Sequence, residues 1–221
     1  MRRSIDRLVL LLVGVALATP TMLSAQGEHA RRAAAELQVL IDDARLLQQP
    51  QLTEQRTRGL QQRIEGMLAA LSVLLRFADQ ELGRSSVARD ITGLRQLLAQ
   101  RDYPALVERL RAIGRDHPLH TAHLLHLSPS AARLRQALGL HRRFCAACHD
   151  SPLFDSERPA FDLYREAKRM PPETFVARML VGIRGDVVTG LGNPFTDEEL
   201  GALIALYRRA EESATAESLQ Q

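Results

Sequence analysis

Apolar residues recur every three or four positions through most of this chain, which is the spacing that places them on one face of an α-helix. Four such patterns come first, in the stretches 28–48, 53–80, 87–98 and 103–113. No window alternates apolar and polar residues with the period of two that a half-buried strand shows. The sequence therefore predicts an all-α protein.

The four N-terminal patterns predict a helical hairpin or bundle over residues 26–115, because the polar connections between them are short. Ser86 is a suitable N-cap for the third helix. No catalytic group of residues stands out in this segment, so we interpret it as a packing or docking module. Its apolar stripes are broad enough that self-association through these helices is a second interpretation.

The rest of the chain divides into a connector over residues 116–130, a second domain over residues 131–210 that contains both cysteines, and a flexible polar tail over residues 211–221. A helix from about residue 129 to residue 143 leads into a pair of cysteines, and a loop-rich stretch follows. Further helices are predicted at 172–183 and 196–209. Thr196 and Glu199 have the spacing of a capping box at the start of the last helix.

Residues 1–25 have the three parts of a secretory signal peptide. A basic start, MRRSIDR, precedes the apolar run Leu8–Ala18, and a polar stretch ends at Ala25. The apolar run is shorter than the roughly 20 residues that span a bilayer. We therefore expect a cleaved signal and a periplasmic protein, with an uncleaved membrane anchor as the alternative.

The charge balance argues against nucleic acid as a partner. Without residues 1–25, which hold three arginines and one aspartate, the chain carries 26 basic and 25 acidic side chains. No block of Lys and Arg interleaved with aromatic residues is present.

The only two cysteines, Cys145 and Cys148, enclose two alanines and precede His149. A close pair in an oxidising compartment forms a disulfide, a metal site or a cofactor attachment. Cys-x-x-Cys-His is the signature of c-type haem attachment, in which each thiol adds across one haem vinyl group and the histidine ligates the iron. We predict one covalently attached haem c, bound through Cys145 and Cys148, with His149 as the proximal iron ligand.

Two other interpretations use the same cysteines. A thioredoxin-like redox pair is expected near a βαβ pattern, which the sequence does not show. A structural zinc site needs four ligands, and a single cysteine pair would have to recruit histidines from elsewhere.

Residues 130–210 resemble the cytochrome c domain of the bacterial class I type. The resemblance rests on the helix that runs into Phe144-Cys145-Ala146-Ala147-Cys148-His149 and on the ending Asn193-Pro194-Phe195-Thr196-Asp197-Glu198-Glu199-Leu200. It implies that the first and last helices of the domain cross closely over small residues. The candidates for that contact are Ala137, Gly139, Gly201, Ala202 and Ala205. It also implies that a proline carbonyl, here that of Pro159, accepts a hydrogen bond from the second ring nitrogen of His149.

The chain departs from this family at the sixth iron ligand. Where a methionine usually precedes the final helix, this sequence has Gly192-Asn193-Pro194. Met170, Met179 or a histidine of the connector could substitute, or the position is open. The connector histidines are His117, His120, His123 and His126.

These features predict a monohaem c-type cytochrome that transfers single electrons. Its partners would be periplasmic redox proteins or a membrane oxidoreductase complex. The missing methionine supports an alternative, a five-coordinate haem protein that binds NO, CO or peroxide as a sensor or enzyme.

Overall fold

The computed structural model describes residues 26–85, 91–151, 156–184 and 190–209. Within these ranges the chain forms ten helices and one pair of two-residue strands, which confirms the all-α class. The helices are α1 Glu28–Leu46, α2 Glu54–Glu81, α3 Ile91–Ala99, α4 Tyr103–Asp116, α5 Ala122–Leu125, α6 Ala131–Phe144, α7 Ala146–His149, α8 Leu163–Arg169, α9 Pro172–Val181 and α10 Asp197–Arg209. The antiparallel strands are β1 Ile183–Arg184 and β2 Gly190–Leu191. The predicted signal peptide, the Ser86 cap and the tail 211–221 lie outside the described residues.

Capping side chains explain where several helices begin. Thr53, Asp102 and Ser130 each accept a hydrogen bond from the backbone N–H three residues later, which satisfies a donor that the helix itself leaves unpaired. At the start of α10 the Thr196 hydroxyl accepts from the Glu199 N–H at 3.3 Å, and the Glu199 carboxylate accepts from the Thr196 N–H at 2.9 Å. The predicted capping box is confirmed.

Two short helices lie where the sequence predicted none. Helix α8 occupies the stretch interpreted as loop-rich, and Asp162 caps it by accepting from the N–H groups of Tyr164 and Arg165 at 2.8 and 3.2 Å. Neighbouring prolines concealed this capping signal. Helix α5 lies in the connector and is so short that, of the four connector histidines, it contains only His123.

Helix α1 lies at the centre of the packing. It contacts α2 and α4 from the N-terminal region and also α9, which belongs to the predicted haem region. Buried apolar side chains from each of these helices belong to one hydrophobic cluster. The N-terminal helices and the region over residues 131–210 therefore share a core, while the exact domain boundaries stay a prediction.

A buried carboxylate joins three of these helices. Asp43 on α1 is completely buried and accepts two hydrogen bonds from Arg63 on α2, both at 2.5 Å, and one from Arg178 on α9 at 2.6 Å. Burial alone would raise the pKa of Asp43, but the charges and hydrogen bonds of the two guanidinium groups outweigh it and hold the pKa below its ordinary value of 3.8. Asp43 is therefore ionised and ties α1, α2 and α9 together.

A glycine on α2 makes room for the segment that follows the cysteines. A Cβ atom at Gly59 would lie 2.1 Å from the carbonyl oxygen of Glu157. Arg56, one helical turn earlier, donates to the same carbonyl at 3.2 Å. The chain at residues 156–158 therefore lies directly on α2.

None of the described helices combines the length and the apolar character that crossing a membrane requires.

We predict that Asp43→Asn lowers the free energy of unfolding by about 3 kcal/mol, because it takes the carboxylate away from the partly buried Arg63 guanidinium and leaves Arg178 with Asp42 but without Asp43. Chemical denaturation followed by circular dichroism measures this change. Glu54→Gln is the matched control, since its partner Arg58 and Glu54 itself are both exposed; we expect it to change stability by less than about 0.5 kcal/mol.

The difference between the wild type and Asp43→Asn should shrink as the pH falls. The folded-state pKa of Asp43 is lowered, so its contribution is fully present above pH 3.8 and disappears as the pH falls through the lowered value. A difference that is the same at pH 7 and in strong acid would contradict the assignment of Asp43 as the ionised centre.

We also predict that Gly59→Ala destabilises the protein by about 1–3 kcal/mol, because the new methyl group meets backbone that cannot move freely. Gly66 is the matched control on the same helix, since a Cβ there has nothing within 4 Å. Gly66→Ala should stabilise the helix by up to about 1 kcal/mol. Equal effects of the two substitutions on the thermal midpoint would refute the close contact at Gly59.

Candidate functional site

The cysteine motif forms a tight turn at the end of α6. Cys145 caps α6, and its carbonyl oxygen accepts from the N–H groups of Cys148 and His149 at 3.1 and 3.0 Å. Both thiols are free; Cys145 is half-buried and Cys148 is exposed. The turn leaves the two sulfurs available for bonds to an external group.

The imidazole of His149 is held by backbone. Its Nδ1 lies 2.5 Å from the carbonyl oxygen of Phe161. A carbonyl can only accept, so Nδ1 carries the proton and Nε2 keeps its lone pair for a metal. The expectation that the carbonyl of Pro159 would make this bond is wrong. Phe161 directly precedes Asp162, the cap of α8, so the start of that helix sets the position of its carbonyl.

Helices α6 and α10 pack against each other, as the resemblance implied. Ala137 on α6 and both Ala202 and Ala205 on α10 are buried. Gly139 does not belong to this contact, because it is exposed and a Cβ there would meet nothing within 4 Å. It lies two residues beyond Ala137 and therefore on a different side of the helix.

Gly201 serves a different contact from the one expected. A Cβ at Gly201 would lie 2.8 Å from Cδ2 of Leu127, a connector residue. The missing side chain thus lets the connector approach α10, which also contacts α5.

A polar chain that the sequence did not reveal lies beside the cysteine turn. His141 on α6 is buried, with Nδ1 3.1 Å from the Tyr207 hydroxyl on α10 and Nε2 3.0 Å from Oδ1 of Asp150. Tyr207 also forms a side-chain hydrogen bond with Cys145. The available signal was the position of His141, four residues and one helical turn before Cys145.

Burial dominates the ionisation behaviour of this cluster. It raises the pKa of the Cys145 thiol, which the hydrogen bond from Tyr207 partly offsets. It likewise raises the pKa of Tyr207, and that of Tyr164 to about 12. Both tyrosines are therefore neutral hydrogen-bonding groups at neutral pH.

The two candidate methionines are partly buried against the hydrophobic core. Met170 caps the end of α8, and Met179 lies on α9. Asn193 lies where the resemblance to cytochrome c would place a methionine. Both ends of its side-chain amide are hydrogen-bonded to backbone: the NH2 group donates to the Met179 carbonyl at 2.6 Å, and the oxygen accepts from the Phe195 N–H at 2.8 Å. Its role in this structure is to join the end of α9 to the start of α10.

The connector histidines lie in different surroundings. His117 is buried with Nε2 3.5 Å from a carboxylate oxygen of Asp79 on α2, and it lines a cavity of about 340 Å³ between α1 and α4. His120 is exposed, and Nε2 of His123 is 3.4 Å from the Asp197 carboxylate. The structure thus places His117 among the N-terminal helices.

Within the four described ranges, no group of three or more His, Cys, Asp and Glu side chains is arranged to hold a metal ion. The zinc interpretation has no ligand set among these residues.

No protein-family model matches the chain, and neither the curated proteins nor the solved structures contain a match to it.

Proposed function

We propose that this chain is an exported monohaem c-type cytochrome that passes single electrons between redox partners. Haem would be bonded to Cys145 and Cys148, with His149 on the iron. The single observation that carries the proposal is the His149 imidazole, whose Nδ1 is fixed on the Phe161 carbonyl at the end of a Cys-x-x-Cys turn.

The residues Cys145, Cys148 and His149 fit a covalently bound haem. The two thiols are unpaired, as thioether formation requires. The hydrogen bond to Phe161 selects the tautomer that presents Nε2, orients the ring and makes the nitrogen more basic. When bound, haem supplies the one-electron chemistry, and the chain sets its potential through the axial ligand, hydrogen bonds and burial.

The exposure of the cysteine turn suits electron transfer to another protein. Cys148 is exposed, and Phe144 beside the motif keeps 48% of its surface accessible. A group bonded to this turn would therefore be within reach of a docked partner. We propose periplasmic redox proteins or a membrane oxidoreductase complex as that partner.

A five-coordinate haem protein that binds NO, CO or peroxide is the second candidate. The observation that favours it is Asn193, which occupies the usual methionine position and has both ends of its amide engaged with backbone. Met170 and Met179, moreover, already pack against the core, and His117 lies beside Asp79.

Self-association through the N-terminal helices stays a prediction. Val73 and Phe77, one turn apart on α2, are the exposed apolar side chains that it would use.

Co-expression of the full chain with a haem-attachment system should yield a product that carries one covalent haem, because both thiols and the imidazole are available. Mass spectrometry of the denatured protein measures the bound mass. The control is the double variant Cys145→Ser and Cys148→Ser, which should retain none. A wild-type chain that stays unmodified while both thiols react with an alkylating reagent would refute the proposal.

The visible spectrum of the reduced protein under carbon monoxide should decide between the two candidates. If a side chain occupies the sixth position, the spectrum is low-spin and does not change with carbon monoxide, and this is the result that we expect of an electron carrier. Met170→Ala and Met179→Ala are then tested separately. The variant whose spectrum changes with carbon monoxide identifies the methionine that occupies the sixth position. A high-spin wild-type spectrum that shifts with carbon monoxide would instead favour the ligand-binding protein.

A further inference from the structure

A glycine follows the buried stripe of α4. Leu106 and Leu110 are fully buried on one face of this helix, and the same face reaches Gly114 one turn later. A Cβ atom at Gly114 would lie 3.7 Å from Cδ1 of Ile41 on α1, which is an ordinary van der Waals distance. Helix α4 therefore contributes no side chain where its stripe would continue, and the cavity of about 340 Å³ lies at this place.

The α1 side of the cavity is apolar. Ala34, Leu37 and Ile41 line it from one face of α1, at spacings of three and four residues. All three side chains belong to the buried core. Leu119 of the connector adds a further apolar side chain to the lining. A surface of this kind favours a hydrocarbon group, because contact removes apolar area from water.

The α4 side of the cavity carries positive charge. Arg111 and Arg115 lie one turn apart on α4, and both line the cavity. Arg115 is exposed and the Arg111 side chain is 42% accessible, so this side borders solvent. Among the lining residues that the structure describes there is no Asp or Glu. The cavity thus combines an apolar floor with a cationic rim, which suits a negatively charged head group.

Two nearby features oppose an anion, and both are smaller than the charge of the rim. Glu108 forms an ion pair with Arg111, but 65% of its side chain is exposed, so water screens the pair and Arg111 still attracts a second anion. The C-terminal end of α4 carries a partial negative charge of about half a unit. Two full guanidinium charges exceed these contributions together, and the rim stays positive.

The polar side chains deeper in the lining are held by other helices. His117 is 3% exposed, and its Nε2 lies 3.5 Å from a carboxylate oxygen of Asp79 on α2. The amide of Gln38 donates to the Thr174 hydroxyl on α9 at 3.0 Å. Because α2 and α9 fix these side chains, the walls of the cavity are formed before a ligand arrives.

We propose that this cavity binds a free monocarboxylate with a short hydrocarbon chain. The carboxylate lies at Arg111 and Arg115, and the chain covers Leu37 and Ile41. The volume is near the lower end of the range for ligand sites, roughly 300–1,000 Å³, which suits a small ligand. The cavity is formed by α1, α4 and the connector, none of which contains the cysteine motif. The inference is therefore independent of the proposed haem chemistry.

The test titrates the full chain with octanoate and follows the backbone amide signals by NMR. Saturable shifts are expected at residues 34–41 and 111–119, with a Kd of about 0.1–1 mM for a ligand of this size. Octanol and octylammonium carry the same hydrocarbon chain with a neutral and a positive head group. Octanoate should bind about threefold more tightly than octanol, and octylammonium should bind most weakly. No saturable binding, or octanoate that binds no more tightly than the other two, would overturn the proposal.

Filling the cavity should abolish the binding. In Gly114→Leu the new side chain takes the space of the ligand, and the affinity for octanoate should fall by at least about tenfold. Gly66→Leu is the matched control, because a Cβ there has nothing within 4 Å and the residue lies on α2 outside the lining. Circular dichroism verifies that both variants fold. If the two variants bind octanoate equally well, the site is wrongly placed.

A second variant covers the case in which Gly114→Leu fails to fold. The double substitution Arg111→Gln and Arg115→Gln changes only side chains at the solvent side, and it should remove the preference for octanoate over octanol. Arg135→Gln, at an exposed position of α6, is the matched control and should keep that preference. A double variant that still prefers octanoate to the same extent would show that the two arginines do not bind the carboxylate, and the proposal would be wrong.

Discussion

The buried carboxylate of Asp43 is the interaction on which the arrangement of the helices depends. A charge in the protein interior is tolerated only when it is paired, and removing one partner leaves the others uncompensated. Because Arg63 and Arg178 come from helices far apart in sequence, α1, α2 and α9 cannot separate without leaving a charge unpaired. The N-terminal helices thereby determine where α9 lies. Asn193 then joins α9 to the start of α10, because its side chain is hydrogen-bonded to the Met179 carbonyl on α9 and to the Phe195 N–H just before α10.

The same N-terminal helices support the cysteine turn through a second set of contacts. Gly59 allows residues 156–158 to lie on α2, and Arg56 holds the Glu157 carbonyl there. A few residues later Phe161 presents its carbonyl to His149. The orientation of the candidate iron ligand thus depends on packing against a helix nearly one hundred residues earlier in the chain, which gives residues 26–115 a structural role in the site.

The candidate site combines the turn from Cys145 to His149 with the crossing of α6 and α10, in which the polar side chain of His141 is buried. Between α6 and α10, where the sequence suggested small apolar contacts, the structure also places His141 against Tyr207. Burying these polar atoms is tolerated because Asp150 and Cys145 complete their hydrogen bonds. The crossing therefore serves both the packing of the two helices and the environment of one of the two thiols.

The sequence by itself determined the features that depend on near neighbours: the helical class and the capping box of Thr196 and Glu199. Periodicity and capping are short-range properties, because their hydrogen bonds join residues three or four positions apart. Only the tertiary structure decided that Phe161 rather than Pro159 holds His149, that Gly139 lies outside the helix crossing, and that His141 faces Tyr207. These outcomes depend on how distant segments pack, since a shift of one or two residues along a helix or loop changes which atom meets its partner.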